Sequence, residues 1–450
     1  MRRSTYGHVR RKTAETGSFL AAFGGAALAA DLPARLTEAD YSRVTMAEVR
    51  LGRDLFYDPI LSGNRNISCA TCHHPRFGTG DGLSLGLGEG AVGLGPDRHV
   101  TETNLPEQRI PRNAPALFNL GATPFKVLFH DGRIEVDPTR PSGLRTPMEE
   151  DMVTGFASIL SAQTMFPVLS PDEMAGHYNE NEISKAVREG FITGPDGAWA
   201  RISARVAGIP AYQTAFETAY PEIASGRPIT FTDISNAIAQ FVAFEWRSDD
   251  SSFDAVLRKQ ALFQPEAAKG ADLFYGVAGC ATCHSGPFLT DHAFHAMGEP
   301  QLGPGKAERF ERHSRDEGRY RVTNTPADIF AFRTPSLRNV AQTGPWGHAG
   351  SHKDLAAFVT DHARSGDQLA GYDRTQAVLP VLPKTKPDWK ILDTPDEVAA
   401  IKAAAVAPLA LTPDHVAQIV AFLTTLSDPV ALKGRLGVPD TVPSGLPVDR

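Results

Sequence analysis

The sequence predicts a mainly α protein built from two modules related by internal duplication, wrapped in long irregular loops. Three observations carry this reading. One five-residue motif occurs twice, the segments around each copy repeat as well, and Pro- and Gly-rich stretches with few alternating strand patterns separate short helical runs. The motif is Cys-x-x-Cys-His, at Cys69-Ala70-Thr71-Cys72-His73 and at Cys280-Ala281-Thr282-Cys283-His284. It is the attachment signature of c-type haem. Each thiol adds to a haem vinyl group, and the His becomes the proximal iron ligand. The chain has 4 cysteines, and the two motifs use all of them. A zinc site would pair Cys-x-x-Cys units about 15–20 residues apart. Here they lie far apart, and each carries its own His, which favours two covalent haems over zinc or disulfides.

The bulk properties agree. At 450 residues, 42% hydrophobic and 22% charged, the chain has room for two full cores. A net charge of -7 argues against nucleic acid as a partner. The N-terminus reads as an export signal over residues 1–30. Arg2, Arg3, Arg10, Arg11 and Lys12 precede an apolar run from Ser18 to Ala30, with Ala27-Leu28-Ala29 as a cleavage site. That run falls short of the roughly 18–20 residues that span a bilayer. No later segment is apolar enough for membrane insertion, and haem attachment of this type takes place outside the bacterial inner membrane. The mature protein is expected in the periplasm, as a monomer or homodimer.

Within each module the elements follow in the same order. Leu51-Gly52-Arg53-Asp54-Leu55-Phe56-Tyr57 precedes the first motif, and Lys269-Gly270-Ala271-Asp272-Leu273-Phe274-Tyr275 the second. Both read as the end of an amphipathic helix packed on the haem-binding turn. After the first motif, Arg112, Pro115, Leu117 and Asn119 lead to His130-Asp131-Gly132; after the second, Arg333, Pro335, Leu337 and Asn339 lead to His348-Ala349-Gly350. Further helices are expected over Ile234–Trp246, Glu182–Arg188, from Phe253, and over His415–Leu426. The boundary falls near 245–265, giving an N-terminal domain at 31–250 and a C-terminal domain at 251–450. Gly88-Glu89-Gly90-Ala91-Val92-Gly93 fits G-x-G-x-x-G, but no strand precedes it and no helix follows, so it reads as a flexible loop over the first haem.

With these motifs and flanks, the chain resembles the bacterial di-haem cytochrome c peroxidase/MauG superfamily, whose two domains are cytochrome c-like. The resemblance implies an N-terminal haem that reacts with hydrogen peroxide, a C-terminal six-coordinate haem that handles electrons, and a Ca²⁺ between the domains. The family's distal pocket is Gln-x-x-x-Pro followed by a Glu six residues beyond the Pro. Gln163, Pro167 and Glu173 match it. This implies Glu173 as general acid/base and Gln163 as a hydrogen-bonding partner. Ser170-Pro171-Asp172-Glu173 also reads as a capping box, and Glu149 and Glu150 are rival carboxylates. The second axial ligand of the C-terminal haem is a Met or a Tyr in relatives, fourteen residues after the His of a Pro-aromatic-x-His-x-Gly segment. Counting from His348 lands on His362. Leu355, Phe358, Val359 and His362 follow one helical face, capped by Ser351 and Asp354. Met297 is the fallback ligand. The calcium ligands implied are the Asn113 side chain and the Thr343 and Pro345 carbonyls.

Two departures from the family stand out. His130 occupies the position of a Trp that relays electrons between the haems. The Gly-rich loop from Gly78 to Arg112 holds only His99, out of register with the His that gates the first haem in the peroxidase branch. An open N-terminal haem is therefore expected. An insertion, Ile134 to Ile159, reads as a partner surface or a tolerated loop. Three functions remain in view. One is a peroxidase fed by a small periplasmic electron-transfer protein. Another is a MauG-like oxidase that modifies Trp or Tyr of a protein substrate, and the third is a passive di-haem electron carrier.

Overall fold

The computed structural model describes residues 32–306, 311, 313–385 and 387–450; the expected export signal at 1–30 lies outside the described residues. Helices dominate. The strands among the described residues are short and antiparallel: Ala91–Val92 with His99–Val100, Val127–Leu128 with Ile134–Val136 and Leu144–Arg145, and Phe294–His295 with Phe332–Arg333. Two of these strands lie in the 134–159 insertion.

Five helices position the site: α1 (Met46–Tyr57), α2 (Phe231–Glu245), α3 (Pro265–Tyr275), α4 (Leu355–Arg364) and α5 (Pro413–Thr424). α2 begins before the expected Ile234 because Thr230 and Asp233 form a capping box, and α5 begins before His415 because Thr412 caps it with Pro413 at the first helical position. α1 packs on α2, and α3 packs on α5.

Both crossings are built alike. A Cβ at Gly52 would lie 2.5 Å from the Ala237 carbonyl carbon and 2.9 Å from Phe241 Cβ; at Gly270 it would lie 2.6 Å from the Gln418 carbonyl carbon and 2.9 Å from Phe422 Cβ. Only a residue without a side chain lets the backbones approach this closely. One turn on, Phe56 meets Phe241 at 5.4 Å and 54°, and Phe274 meets Phe422 at 5.0 Å and 51°. Each buried aromatic contributes roughly 1.5–3 kcal/mol of transfer free energy. Asn119 and Asn339 also match. Both sit in the left-handed region (φ 60° and 63°). Their N–H groups donate to Trp246 O (3.1 Å) and Leu426 O (3.0 Å), just past α2 and α5.

The 245–265 segment is pinned to both halves. Asp249 and Asp250 N–H donate to Asp428 Oδ2 at 3.0 Å each, and Ser248 bonds both Asn119 and Asn339. The chain end returns to the first half. Ala431 and Val442 join its core, and Leu436, Val438, Leu446 and Val448 pack against it. Thr71, inside the first haem motif, donates to Asp449 Oδ2 at 2.5 Å.

The Gly-rich loop is packed, contrary to the expectation of a flexible one. Leu83, Leu85, Leu87 and Glu89 are fully buried. Arg98 threads the loop, donating to the carbonyls of Leu87, Gly93 (2.7 Å) and Gly88 (2.9 Å). Glu89 N–H donates to Asp172 O at 3.1 Å, so the loop braces the turn that carries Glu173.

Candidate active site

Cys69–Cys72 forms a single helical turn whose Ser68 and Thr71 close a capping box, and Cys280–Thr282 forms a 3-10 turn. All four thiols are unpaired, so no disulfide competes for them. His73 Nδ1 lies 3.0 Å from Thr79 O, and His284 Nδ1 lies 3.2 Å from Leu289 O. A carbonyl only accepts, so each Nδ1 carries the proton and each Nε2 is left as the metal-binding nitrogen. Burial holds both imidazoles in the neutral form that binds metals, pulling His73 down and His284 down to about 4. Two matching cradles for covalent haem are therefore present.

Around the second cradle lies a cavity of about 560 Å³, lined by Cys280, Cys283, His284, Met297, Arg333 and His362 among others. This volume is in the range of cofactor sites. Arg333 is half-buried and, among the described residues, donates to two carbonyls, Phe129 O at 3.2 Å and Thr334 O at 3.1 Å, and burial lowers its pKa to about 10. A cation so placed favours an anionic edge, such as a haem propionate, in the cavity.

The His284 and His362 rings face each other with centroids 6.4 Å apart. Two metal–nitrogen bonds of about 2 Å, with about 1.1 Å from each Nε2 to its ring centre, place centroids roughly 6.2 Å apart across one metal. The spacing fits an iron between them. His362 stands on α4, capped by Asp354, which accepts from Ala357 N–H at 2.7 Å. Ser351 does not share this cap; it bonds His352 Nδ1 at 2.8 Å. Met297, the fallback ligand, lines the same cavity. Among the described residues no comparable ring contact involves His73.

The distal residues expected for the first haem lie on three consecutive turns. Gln163 lies in the last turn of the helix Ile159–Thr164, Pro167 opens the turn Pro167–Leu169, and Glu173 sits in a π-helical turn, Pro171–Ala175. Gln163 Oε1 is buried without a hydrogen-bond partner, an acceptor awaiting a donor. Single π turns are frequent at functional sites. The capping box expected at Ser170 does not close on the backbone. Ser170 makes no side-chain cap bond, and Glu173 N–H donates to Ser170 O at 3.2 Å. The turn is further held by Gly63 N–H to Met174 O (2.8 Å) and Asn181 Nδ2 to Ala175 O (3.0 Å).

Burial raises the Glu173 pKa, with Lys306 and Arg133 partly opposing it. Its charge is felt at the Cys72 thiol of the first haem motif, behind those of Asp81 and Arg98. Lys306 is in turn pulled down to about 8 by burial and the Arg133 charge.

Other candidates fall elsewhere. His130 Nε2 faces Asn113 O at 3.1 Å, and burial with the Arg112 charge lowers its pKa to about 3, so it is a packed neutral ring. Glu149 and Glu150 are exposed and pair with Arg140, at 3.1 and 2.7 Å. His99 is exposed and bonds Asp97 O. Asn113, Thr343 and Pro345 line the cavity of the second cradle together. Sequence reasoning missed Glu299, which bonds His362 and His348, and also Lys306 and Arg333. Only the chemical oddity of a Glu in an otherwise apolar Met-Gly-Glu-Pro stretch could have flagged the first.

Two cradles suited to c-type haem, one of them facing a second imidazole, define a di-haem c-type protein. Comparison with known proteins agrees. The family model described as "Di-haem cytochrome c peroxidase" matches residues 46–262. The methylamine utilization protein MauG of Methylorubrum extorquens is 30% identical over 327 residues, covering 72% of this chain and 71% of that protein. Cytochrome c551 peroxidase of Pseudomonas aeruginosa is 28% identical, covering 77% and 81%. Among solved structures, a MauG-like protein associated with microbial copper homeostasis superposes with a TM-score of 0.57 at 25% identity, covering 89% and 94%. The diheme peroxidase BthA from Burkholderia thailandensis shares the fold, with a TM-score of 0.56 at 23% identity, covering 87% and 88%. The chain belongs to the di-haem cytochrome c peroxidase/MauG family, carries two c-type haems and is an oxidoreductase acting on peroxide. Among the described residues no helix is long and apolar enough to cross a membrane.

Proposed function

We propose that this chain is a periplasmic di-haem peroxidase of two duplicated modules, 31–250 and 251–450. Cys69, Cys72 and His73 would hold the N-terminal haem, the site for hydrogen peroxide. Cys280, Cys283 and His284, with His362 on the other side, would hold the C-terminal haem, the entry point for electrons from a small donor protein. Bound haem supplies the iron that takes up peroxide oxygen and exchanges electrons. Two electrons and two protons convert each peroxide to two waters. The observation that carries the reading is the asymmetry of the two cradles: His284 faces His362 at 6.4 Å, whereas among the described residues no such ring contact involves His73.

The chain's own residues manage the protons. Glu173 accepts the proton of the entering peroxide and returns it to the departing oxygen, a role suited to a carboxylate whose pKa burial raises. Gln163, with its free acceptor oxygen, orients the peroxide O–H. Pro167 fixes the turn between them. The repeated Gly52/Gly270 crossings support descent of the two modules from one. The Asn113 side-chain oxygen with the Thr343 and Pro345 carbonyls would hold one Ca²⁺, which suits mixed oxygen ligands.

The second reading is a MauG-like oxidase that modifies Trp or Tyr of a partner protein. The His284/His362 spacing favours it, because imidazole in place of thioether lowers a haem's potential. The half-buried Glu173 with its raised pKa and the unpartnered Gln163 Oε1 weigh against a passive carrier. Adding one equivalent of peroxide to the ferric protein without donor separates the active readings. A long-lived spectral change shared by both haems supports the oxidase. Turnover confined to partly reduced protein with a reduced cytochrome supports the peroxidase. No reaction in either state would defeat both.

A further inference from the structure

Glu299 lies beyond both haem motifs and outside the acid/base set, yet it is tied to the candidate axial ligand. Its Oε1 lies 3.1 Å from His362 Nδ1. Its Oε2 lies 3.0 Å from the His348 backbone N–H and 3.3 Å from His348 Nδ1. His348 is itself immobilised, stacked on Phe332 at 3.9 Å and 12°. The carboxylate is thus an acceptor with three donors, one of which, a backbone N–H, has a fixed sense.

We propose that Glu299 is the positioning residue of the C-terminal haem: it accepts from His362 Nδ1–H, turns Nε2 towards His284, and lowers that haem's reduction potential. The inference rests on His362 as axial ligand. A carboxylate on the far nitrogen fixes the tautomer and ring orientation and makes the imidazole a stronger donor. A stronger donor stabilises the more oxidised metal, so the haem yields an electron more readily. His348, on the other oxygen, keeps the carboxylate from turning away. Its place in the Pro-aromatic-x-His-x-Gly segment gains a reason: it anchors the group that holds His362, fourteen residues further on.

Glutamine is an informative substitution, because the His348 N–H demands an oxygen. In Glu299→Gln the amide oxygen must stay there, which turns the NH₂ towards His362 Nδ1. The imidazole proton is then driven to Nε2, the atom needed for the metal. Glu299→Gln is expected to lose part of the low-spin EPR signal of the ferric holoprotein. Glu299→Ala is expected to keep that signal but raise the C-terminal haem's midpoint potential in a spectroelectrochemical titration. Glu299→Asp, which shortens the reach, serves if Ala does not fold, and is also expected to raise it. His362→Ala is the control. If it leaves the low-spin signal intact, the ligand assignment fails and takes this inference with it. If it abolishes the signal while the Glu299 variants keep the wild-type potential and spectrum, the role of Glu299 is overturned and that of His362 stands.

Discussion

Replacing Gly52 or Gly270 by Ala tests the frame that holds both haems. In a helix interior the change to Ala is worth about 1 kcal/mol in the helix's favour. The new Cβ, however, would lie 2.5 Å from the Ala237 carbonyl carbon or 2.6 Å from that of Gln418, and 2.9 Å from the Cβ of a buried Phe. These neighbours are backbone and the root of a packed side chain, so neither can swing aside. Ordinary van der Waals contact requires α1 and α3 to retreat from α2 and α5 by about 1 Å, and overpacking of this kind costs about 1–3 kcal/mol. With backbone as the obstacle the upper end applies, and the net loss is about 2 kcal/mol. At about 2–4 °C per kcal/mol for domains of this size, Tm falls by roughly 4–8 °C. Thermal unfolding of the holoprotein, followed by far-UV circular dichroism, measures it. Gly371→Ala is the control, since nothing lies within 4 Å of a Cβ there; it is expected to shift stability by less than about 0.5 kcal/mol. A rise in Tm for Gly52→Ala and Gly270→Ala would refute the close-crossing account.

Further outcomes follow from two titrating groups. Glu173→Gln is expected to slow peroxide consumption by about 10²–10⁴-fold with both haems still attached, as for loss of a general acid/base; stopped-flow mixing with peroxide checks it, and an unchanged rate would remove Glu173 from the mechanism. In the wild type the acid limb of kcat/KM is expected above the ordinary carboxylate range, because burial raises Glu173. Asp81 is pushed up from 3.8 to about 7 by burial. The fold binds its proton more tightly than the unfolded chain does, so the stability this brings is complete below about pH 4 and gone once pH exceeds about 7. The span is at most about 4 kcal/mol. Urea denaturation of Asp81→Asn against wild type is therefore expected to show a gap that widens in the variant's favour from pH 4 to 8; a constant gap would contradict the assignment.

What could be read from the chain was whatever is encoded locally. The two Cys-x-x-Cys-His motifs place proximal ligands by covalent spacing alone, and Gly-x-x-x-Phe-Tyr before each marks a helix crossing. α4 was legible as one apolar face carrying His362. The packing of the Gly-rich loop also has a local signature: Leu83, Leu85 and Leu87 alternate with small residues, the period-two pattern of a buried extended segment. Glu299 was not legible. Its partners lie 49 and 63 residues away, and its role arises only when separate loops meet. The return of the chain end to Thr71 belongs to the same class. Ser444 and Asp449 look like tail residues until Asp58 and Thr71 are placed beside them.

The central claim is that the two haems are unequal because their surroundings are. Low-temperature EPR of the ferric holoprotein tests it most directly. The account expects one high-spin and one low-spin haem in equal amounts, with the low-spin signal lost in His362→Ala and retained in Glu173→Gln. Two low-spin haems, or a low-spin signal that survives His362→Ala, would contradict it.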